Sequence, residues 1–330
     1  MKRPRRQFLH FAAAAGAAAL SVASRAAYAQ NWPSGPIRIV VPYAPGGSVD
    51  TIARLAQSGL QQRLGASVVI ENRTGAAGSI GAAVVARSLP DGNTWLLDFD
   101  NHAANAFTIP NLPYDTEKDF EPVQLVGTAP YVLCTPASRP FKTLADLIDA
   151  AKAKPNTITY GTVGAGSVGH LAMVMLEKRA EISLVHVPYR GGPPALNDLI
   201  GGHVDFFIGS SAVTLPQLRS GAIKPVFQTG AARLPALPDL MTVSESGFPG
   251  FEAYAWWGLF APARTAPAII DRFAAEFAMS VRDERVVKQL TDTQQIAIAL
   301  NGPEELRTFL AAQMKQWGAI VRESGIKFNG

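Results

Sequence analysis

Cysteine is nearly missing: Cys134 stands alone in 330 residues, so no disulfide can close within the chain and the core must hold the fold. Charge is sparse as well, with 17% Asp, Glu, Lys and Arg against the usual quarter, which leaves few side chains to meet a charged ligand. The basic excess sits at the start. Lys2, Arg3, Arg5, Arg6 and Arg25 fall within the first 29 residues, which hold no acid, and the remainder carries 25 basic against 26 acidic residues. That balance excludes a basic face for nucleic acid or anionic membrane, so an anion would have to be met by local dipoles and a few side chains. No H-E-x-x-H, cysteine cluster or group of carboxylates offers a metal site, and no cofactor is called for.

Residues 1–29 read as an export leader. Four positive charges precede an apolar, alanine-rich stretch from Phe8 to Ala23, and Ala27-Tyr28-Ala29 gives the small-x-small pattern that predicts cleavage after Ala29. The stretch is shorter than the ~20 residues a membrane span needs. Arg5-Arg6-Gln7-Phe8-Leu9 matches the twin-arginine form, which implies export in the folded state, although ordinary leaders also carry paired arginines.

About 300 mature residues exceed what one core usually organises, and two domains are expected. Strand Ile37–Val41, a helix marked by Val49, Ile52, Ala53, Leu55, Ala56, Leu60 and Leu64, strand Val68–Ile70, a helix over 79–88 and strand Thr94–Phe99 form a βαβαβ unit. Right-handed crossovers make its sheet parallel. After a helix capped by Thr143 the plan repeats, with strands over 157–160, 183–187 and 204–208 and helices over 170–179 and 194–200. Extended apolar stretches over 125–135 and 223–229 are candidates for paired crossover strands. An aromatic strand over 251–260 and helices opening at Pro267 and Pro303 close the first domain. The expected division is residues 30–128 with 230–330 in domain 1 and 129–229 in domain 2.

In each half the first strand runs into a glycine turn that opens a helix: Pro45-Gly46-Gly47-Ser48 and Gly164-Ala165-Gly166-Ser167. Helix starts leave N–H groups without partners at the positive end of the helix dipole, so each turn is a ready anion site. Facing halves with strand order 2-1-3 would aim both into one cleft, suited to a small molecule with one or two carboxylates. Gly164–Gly169 also satisfies G-x-G-x-x-G, so an exported NADP-dependent oxidoreductase is the alternative; Pro188-Tyr189-Arg190 supplies no acid for a ribose hydroxyl. The same turn is a variant of a hydrolase nucleophile elbow, but after it come only His170, His186 and His203, too early in the chain for a later-strand triad histidine.

Pro42-Tyr43-Ala44-Pro45-Gly46-Gly47-Ser48, Val69-Ile70-Glu71-Asn72-Arg73, Leu89-Pro90-Asp91-Gly92, Asn111-Leu112-Pro113-Tyr114-Asp115, Val185-His186-Val187-Pro188-Tyr189-Arg190-Gly191 and Arg233-Leu234-Pro235-Ala236-Leu237-Pro238-Asp239 occur in order along the mature chain. Together they resemble the tripartite tricarboxylate transporter substrate-binding proteins, the Bug family. The resemblance implies an α/β, two-lobed fold of the type II periplasmic-binding-protein kind, with two βαβαβ parallel-sheet domains around a ligand cleft. It also implies a monomeric, non-enzymatic periplasmic receptor that delivers a small carboxylate to the large and small membrane subunits of a transporter. The ligand classes it implies are di- and tricarboxylates, acidic amino acids and aromatic acids.

By the same resemblance, Gly46, Gly47 and Ser48, with Tyr43 and Pro45 of the same turn, would hold one carboxylate while Asp50 braces the loop. Ala165, Gly166, Ser167 and His170 would meet the ligand from the second domain. Tyr189, Arg190, Gly191, Asp205, His102 and Ser210 complete the implied set. Each has a plainer reading: Asp50 as a helix-dipole partner, His170 as a surface residue, Arg190 as a solvated turn residue and Asp205 as a structural acceptor of loop N–H bonds. Trp256 and Trp257 point to opposite strand faces and are expected to pack between the lobes. Ala165, Val168, Gly169 and Gly209-Ser210-Ser211 are smaller or less polar than the resemblance leads one to expect, leaving room for a bulkier, partly apolar ligand.

Overall fold

The computed structural model describes residues 32–324, so the leader expected over residues 1–29 lies outside the described residues. Strand β1 (Ile37–Val41) buries side chains on both faces, as a strand covered by helices on both sides requires. Helix α1 (Ser48–Leu64) turns Val49, Ile52, Ala56 and Leu60 inward and stops at Gly65, whose φ of 64° lets its amide close on the Gln61 carbonyl at 3.0 Å. β2 (Val68–Asn72), α2 (Ser79–Ala86) and β3 (Thr94–Phe99) complete a parallel unit of order β2-β1-β3. Helix α3 (Asn101–Thr108) then leads into β4 (Phe120–Pro136).

The second unit follows α4 (Leu144–Ala153), which opens on a capping box between Thr143 and Asp146. β5 (Thr159–Thr162), α5 (Val168–Ala180), β6 (Val185–Pro188), α6 (Gly192–Ile200) and β7 (Phe206–Ser210) repeat the parallel order as β6-β5-β7. The chain continues through α7 (Ser211–Arg219), β8 (Ile223–Gln228), β9 (Tyr254–Pro262), α8 (Pro267–Val281), α9 (Glu284–Lys288), β10 (Ala297–Asn301) and α10 (Pro303–Ser324).

The two units are joined by β4. From Phe120 to Pro130 it pairs antiparallel with β9; from Tyr131 onward it pairs with β7 and β8 in the other sheet. Strand order across both is β2-β1-β3-β9-β4-β7-β5-β6, the two-lobed α/β architecture that the repeated pattern implied. At the crossing, buried Thr229 exchanges bonds with Tyr131 (amide to hydroxyl 2.9 Å, amide to carbonyl 3.0 Å) and donates its hydroxyl to the Ala253 carbonyl.

Some elements depart from expectation for local reasons. The strands of the second unit start two residues later than expected; before β5 and β7, Asp205 and Thr159 bond to each other's amides through their side chains in place of a ladder pair. Helix α3 has no apolar stripe, since its buried face carries Asn101, His102, Asn105 and Thr108. Helix α7 contains Pro216, and edge strand β10 is only partly buried. Trp256 and Trp257 do take opposite faces but pack inside the first lobe, Trp256 edge-on to Phe309 and Trp257 beside Phe99.

Trp95 stacks on Phe273 with centroids 3.8 Å apart, and Trp32 meets both rings edge-on. Phe273→Ala should therefore lower stability by about 3–5 kcal/mol in urea denaturation; a loss below about 1 kcal/mol would show that the cluster does not anchor α8 on the sheet.

Candidate functional site

A cavity of about 250 Å³ lies between the lobes. The first lobe lines it with Pro42, Tyr43, the Gly75–Gly78 turn, Thr108, Ile109 and Pro110; the second contributes Val163, Gly164, Ala165, Pro188, Tyr189 and Arg190. A recess of about 20 Å³ shares Tyr43 and Val163 with it and is lined further by Gly47, Ser48, Val49, Gly191, Gly192, Ser210 and Val213. The starts of α1, α6 and α7 meet at this recess. Their dipoles give it a positive potential without a charged side chain.

The α1 turn keeps donors open. Gly46 donates its amide to Asp50 Oδ2 at 2.8 Å and Thr51 donates to the Gly47 carbonyl at 2.9 Å. Between them the amides of Ser48 and Val49 have no acceptor among the described residues. Trp257 Nε1 donates to Ser48 Oγ at 3.1 Å, which leaves the hydroxyl proton of Ser48 to donate elsewhere. Burial works against ionisation of Asp50, but Arg54, the Gly46 amide and Asn72 outweigh it and hold the carboxyl below its usual value. Asp50 thus stiffens the turn from behind while Pro45 and Gly46 form its exposed tip.

The lobes are closed on each other. Ala44 donates its amide to the Arg190 carbonyl at 3.3 Å, and Val168 donates its amide to Asn101 Oδ1 at 3.0 Å. Gly164 and Gly191 (φ 146° and 144°) stand close against the other lobe: a Cβ on either would lie 3.2 Å from Ala77 or Ala44. Their lack of a side chain permits the close approach.

The second glycine turn is chemically different from the first. Gly164 donates its amide to Thr162 Oγ1, Gly166 to His170 Nδ1 at 3.0 Å, Ser167 to the Gly164 carbonyl, Val168 to Asn101 and His170 to Ser167 Oγ. Apart from the Ala165 amide, its donors are taken by the protein itself, which depletes the anion cradle that a dinucleotide pyrophosphate requires. Gly166, Ser167 and His170 are buried behind the cleft, and only Gly164 and Ala165 of this turn line it. Two further expectations are corrected. Asp205 lies before β7, at the end of the strand away from the cleft, bonded to Thr159 and paired with Arg139 at 2.9 Å. His102 is fully buried, bonded through Nδ1 to Asp98 at 3.0 Å and packed against Phe260, because α3 turns its polar residues inward.

Sequence reasoning missed the Gly75–Gly78 turn, although it too links a strand to a helix. Ala76 and Ala77 sit at φ 44° and 49°, a left-handed conformation that costs about 1–2 kcal/mol for each such residue. Side chains of Tyr43, Asn101 and Asn105 hold the turn by converging on the Ala77 carbonyl at 3.4, 3.5 and 3.1 Å. Nearby, Asp100 accepts from Tyr131 across the lobes, and burial pushes its carboxyl well above the usual carboxylate range. Gly192, Val163 and Val213 were missed as well; the Gly-Gly and Ser-Ser steps after β6 and β7 were the available signal. Among the described residues, no group of three His, Cys, Asp or Glu could hold a metal ion.

His170 stacks on His186 at 3.7 Å, and His186 Nε2 lies 2.7 Å from Thr162 Oγ1. Burial lowers His170 to about 4, and burial together with His170 lowers His186 to about 3. Both are neutral when folded and take up protons near pH 6.5 when unfolded. Their contribution to stability is therefore intact above that pH and lost as the pH falls toward 4. The melting temperature should drop between pH 7 and pH 4.5, and His186→Asn should flatten that acid limb; an unchanged limb would remove the pair as its cause.

The comparisons with known proteins agree with this geometry. Residues 52–326 match the family model described as tripartite tricarboxylate transporter family receptor. Protein BugT of Bordetella pertussis is 33% identical over 301 residues, covering 91% of this chain and 92% of BugT. The structure of periplasmic binding protein BugD superposes with a TM-score of 0.85 at 32% identity, covering 90% of this chain and 99% of that one. R. palustris Rpa4515 with adipate gives a TM-score of 0.85 at 32% identity, with coverage of 90% and 99%. A family match over most of the chain, with relatives aligned end to end, means that this chain belongs to the tripartite tricarboxylate transporter receptors, the group that includes the Bug proteins.

Proposed function

We propose that this protein is a non-enzymatic periplasmic receptor that captures a small carboxylate between its lobes and hands it to the membrane subunits of a tripartite tricarboxylate transporter. One observation carries the reading: the starts of α1, α6 and α7 converge on a recess at the foot of a larger inter-lobe cavity. Open amides of Ser48 and Val49 and the hydroxyls of Ser48 and Ser210 match a carboxylate, whose oxygens accept several charge-assisted bonds. Gly47 and Gly191 let the backbone approach, Tyr43 closes the wall, and Ala165, Tyr189 and Arg190 border the rest of the ligand. Gly46, Asp50, Gly166, Ser167 and His170 act by holding the turns.

In this proposal residues 1–29 are a cleaved leader of the twin-arginine or ordinary type, and the mature chain acts as a monomer. The lobes are residues 30–128 with 230–330, and 129–229, hinged where β4 changes sheet. The membrane subunits would read the closed form, in which Ala44 and Arg190 are joined.

The test is thermal shift on protein unfolded and refolded to strip carried-over ligand, against mono-, di- and tricarboxylates, acidic amino acids, aromatic acids and NADP. A micromolar ligand at millimolar concentration should stabilise by about 4 kcal/mol. Ser48→Ala and Ser210→Ala should each weaken the best carboxylate about tenfold, by loss of a bond to a charged group. Stabilisation by NADP alone would overturn the reading.

A further inference from the structure

The larger cavity is walled by one turn from each lobe, and both turns keep donors. The amides of Ala76 and Ala77 in the first lobe and of Ala165 in the second have no acceptor among the described residues. Donors on separate lobes can meet one ligand only where their spacing is fixed. Helix α3 lies against both turns. Its last residue, Thr108, fills the space beside Gly166, where a Cβ would lie 2.6 Å from the Thr108 Cβ. Its first, Asn101, is fully buried: Nδ2 donates to the Ala77 carbonyl at 3.5 Å and Oδ1 accepts the Val168 amide at 3.0 Å. Val168 opens α5, and the turn before it is tied to that helix by bonds from the Gly166 amide to His170 Nδ1 and from the His170 amide to Ser167 Oγ. Of the three side chains on the Ala77 carbonyl, Tyr43 and Asn105 hold it from within the first lobe, and Asn101 adds a bond to the second.

We infer that Asn101 is a positioning residue for ligand capture: by joining the Gly75–Gly78 turn to the start of α5, it sets the spacing at which the Ala76, Ala77 and Ala165 amides meet the part of a ligand that lies outside the recess. Asn101 does not line the cavity or the recess, so it acts through these turns and not by contact with ligand. The inference rests on the receptor reading and adds a residue to it. Without Oδ1 the Val168 amide would be buried and unpaired, a cost borne by the closed arrangement of the lobes.

Amide proton–nitrogen correlation spectra of the refolded, ligand-free protein and calorimetric titration with adipate and hexanoate test it together. The two acids share a six-carbon chain; only adipate carries a second carboxylate to the open amides, and it should bind the unaltered protein more tightly. Asn101→Leu, which keeps the volume and removes both bonds, should shift the Ala76, Ala77 and Ala165 resonances together. It should weaken adipate about tenfold or more and hexanoate less than about threefold. Asn105→Leu removes a bond on the same carbonyl without reaching the second lobe, so it should shift Ala76 and Ala77 and leave Ala165 in place. Where Asn101→Leu does not fold, Asn101→Ala with Val168→Pro removes both partners of the inter-lobe bond and leaves no amide unpaired there. Ser167, at φ −62° and ψ 157°, already has the conformation that precedes a proline at a helix start. That double variant should show the same split between the acids. An unmoved Ala165 in Asn101→Leu, equal weakening of both acids, or no preference for adipate in the unaltered protein overturns the inference and leaves the receptor intact. If no carboxylate of any class binds, the receptor reading fails and this inference falls with it.

Discussion

Strand β4 belongs to both sheets, and the cleft exists because one stretch of backbone must satisfy two sets of neighbours. Its first eleven residues lie in the ladder with β9, and the remainder in ladders with β7 and β8. Pro130, which has no N–H to give, stands at the change of partner, and the next amide, that of Tyr131, goes to a threonine hydroxyl. The ladder is thus interrupted at the point about which the lobes would turn. The segment is buried there, so the crossing is packed backbone and not an exposed linker.

From this crossing follows the placement of everything in the cleft. Tyr131 reaches Asp100 in the first lobe, and one residue further Asn101 captures the first amide of α5 in the second. Two related strand–turn–helix units have diverged in use. The first turn keeps the amides of Ser48 and Val49 open toward the recess; the second has filled most of its own with Thr162, His170 and Asn101. The positive potential lost at the second turn is supplied by the starts of α6 and α7, where small residues allow close approach.

The repeated plan was legible in the chain because apolar periodicity reports burial, and in both units the buried faces are apolar. The order β2-β1-β3 and its copy are the ones that place a crevice at a switch point between the first and third strands. Helix α3 was not legible: it buries asparagine, histidine and threonine around the Ala77 carbonyl, and periodicity cannot register a polar core. Nor could the chain disclose which glycine turn stays open, since the deciding acceptor, Asn101, lies 67 residues from the amide it takes. His170, four residues from Gly166, was a local clue to the same fact. His102 and Asp205 carry groups suited to a ligand site, yet the first faces an aromatic core and the second the far end of its strand.

Trp257 lies fully buried in the first lobe with its indole nitrogen bonded to the Ser48 hydroxyl at the edge of the recess. A negative charge arriving there alters the electric field along the indole and polarises the bond it makes. Indole emission responds to such local fields, so the protein carries an intrinsic optical reporter at the point where its ligand would be held. Occupancy would then show as a change in fluorescence without any label, and Trp257→Phe would remove both the reporter and its bond to Ser48.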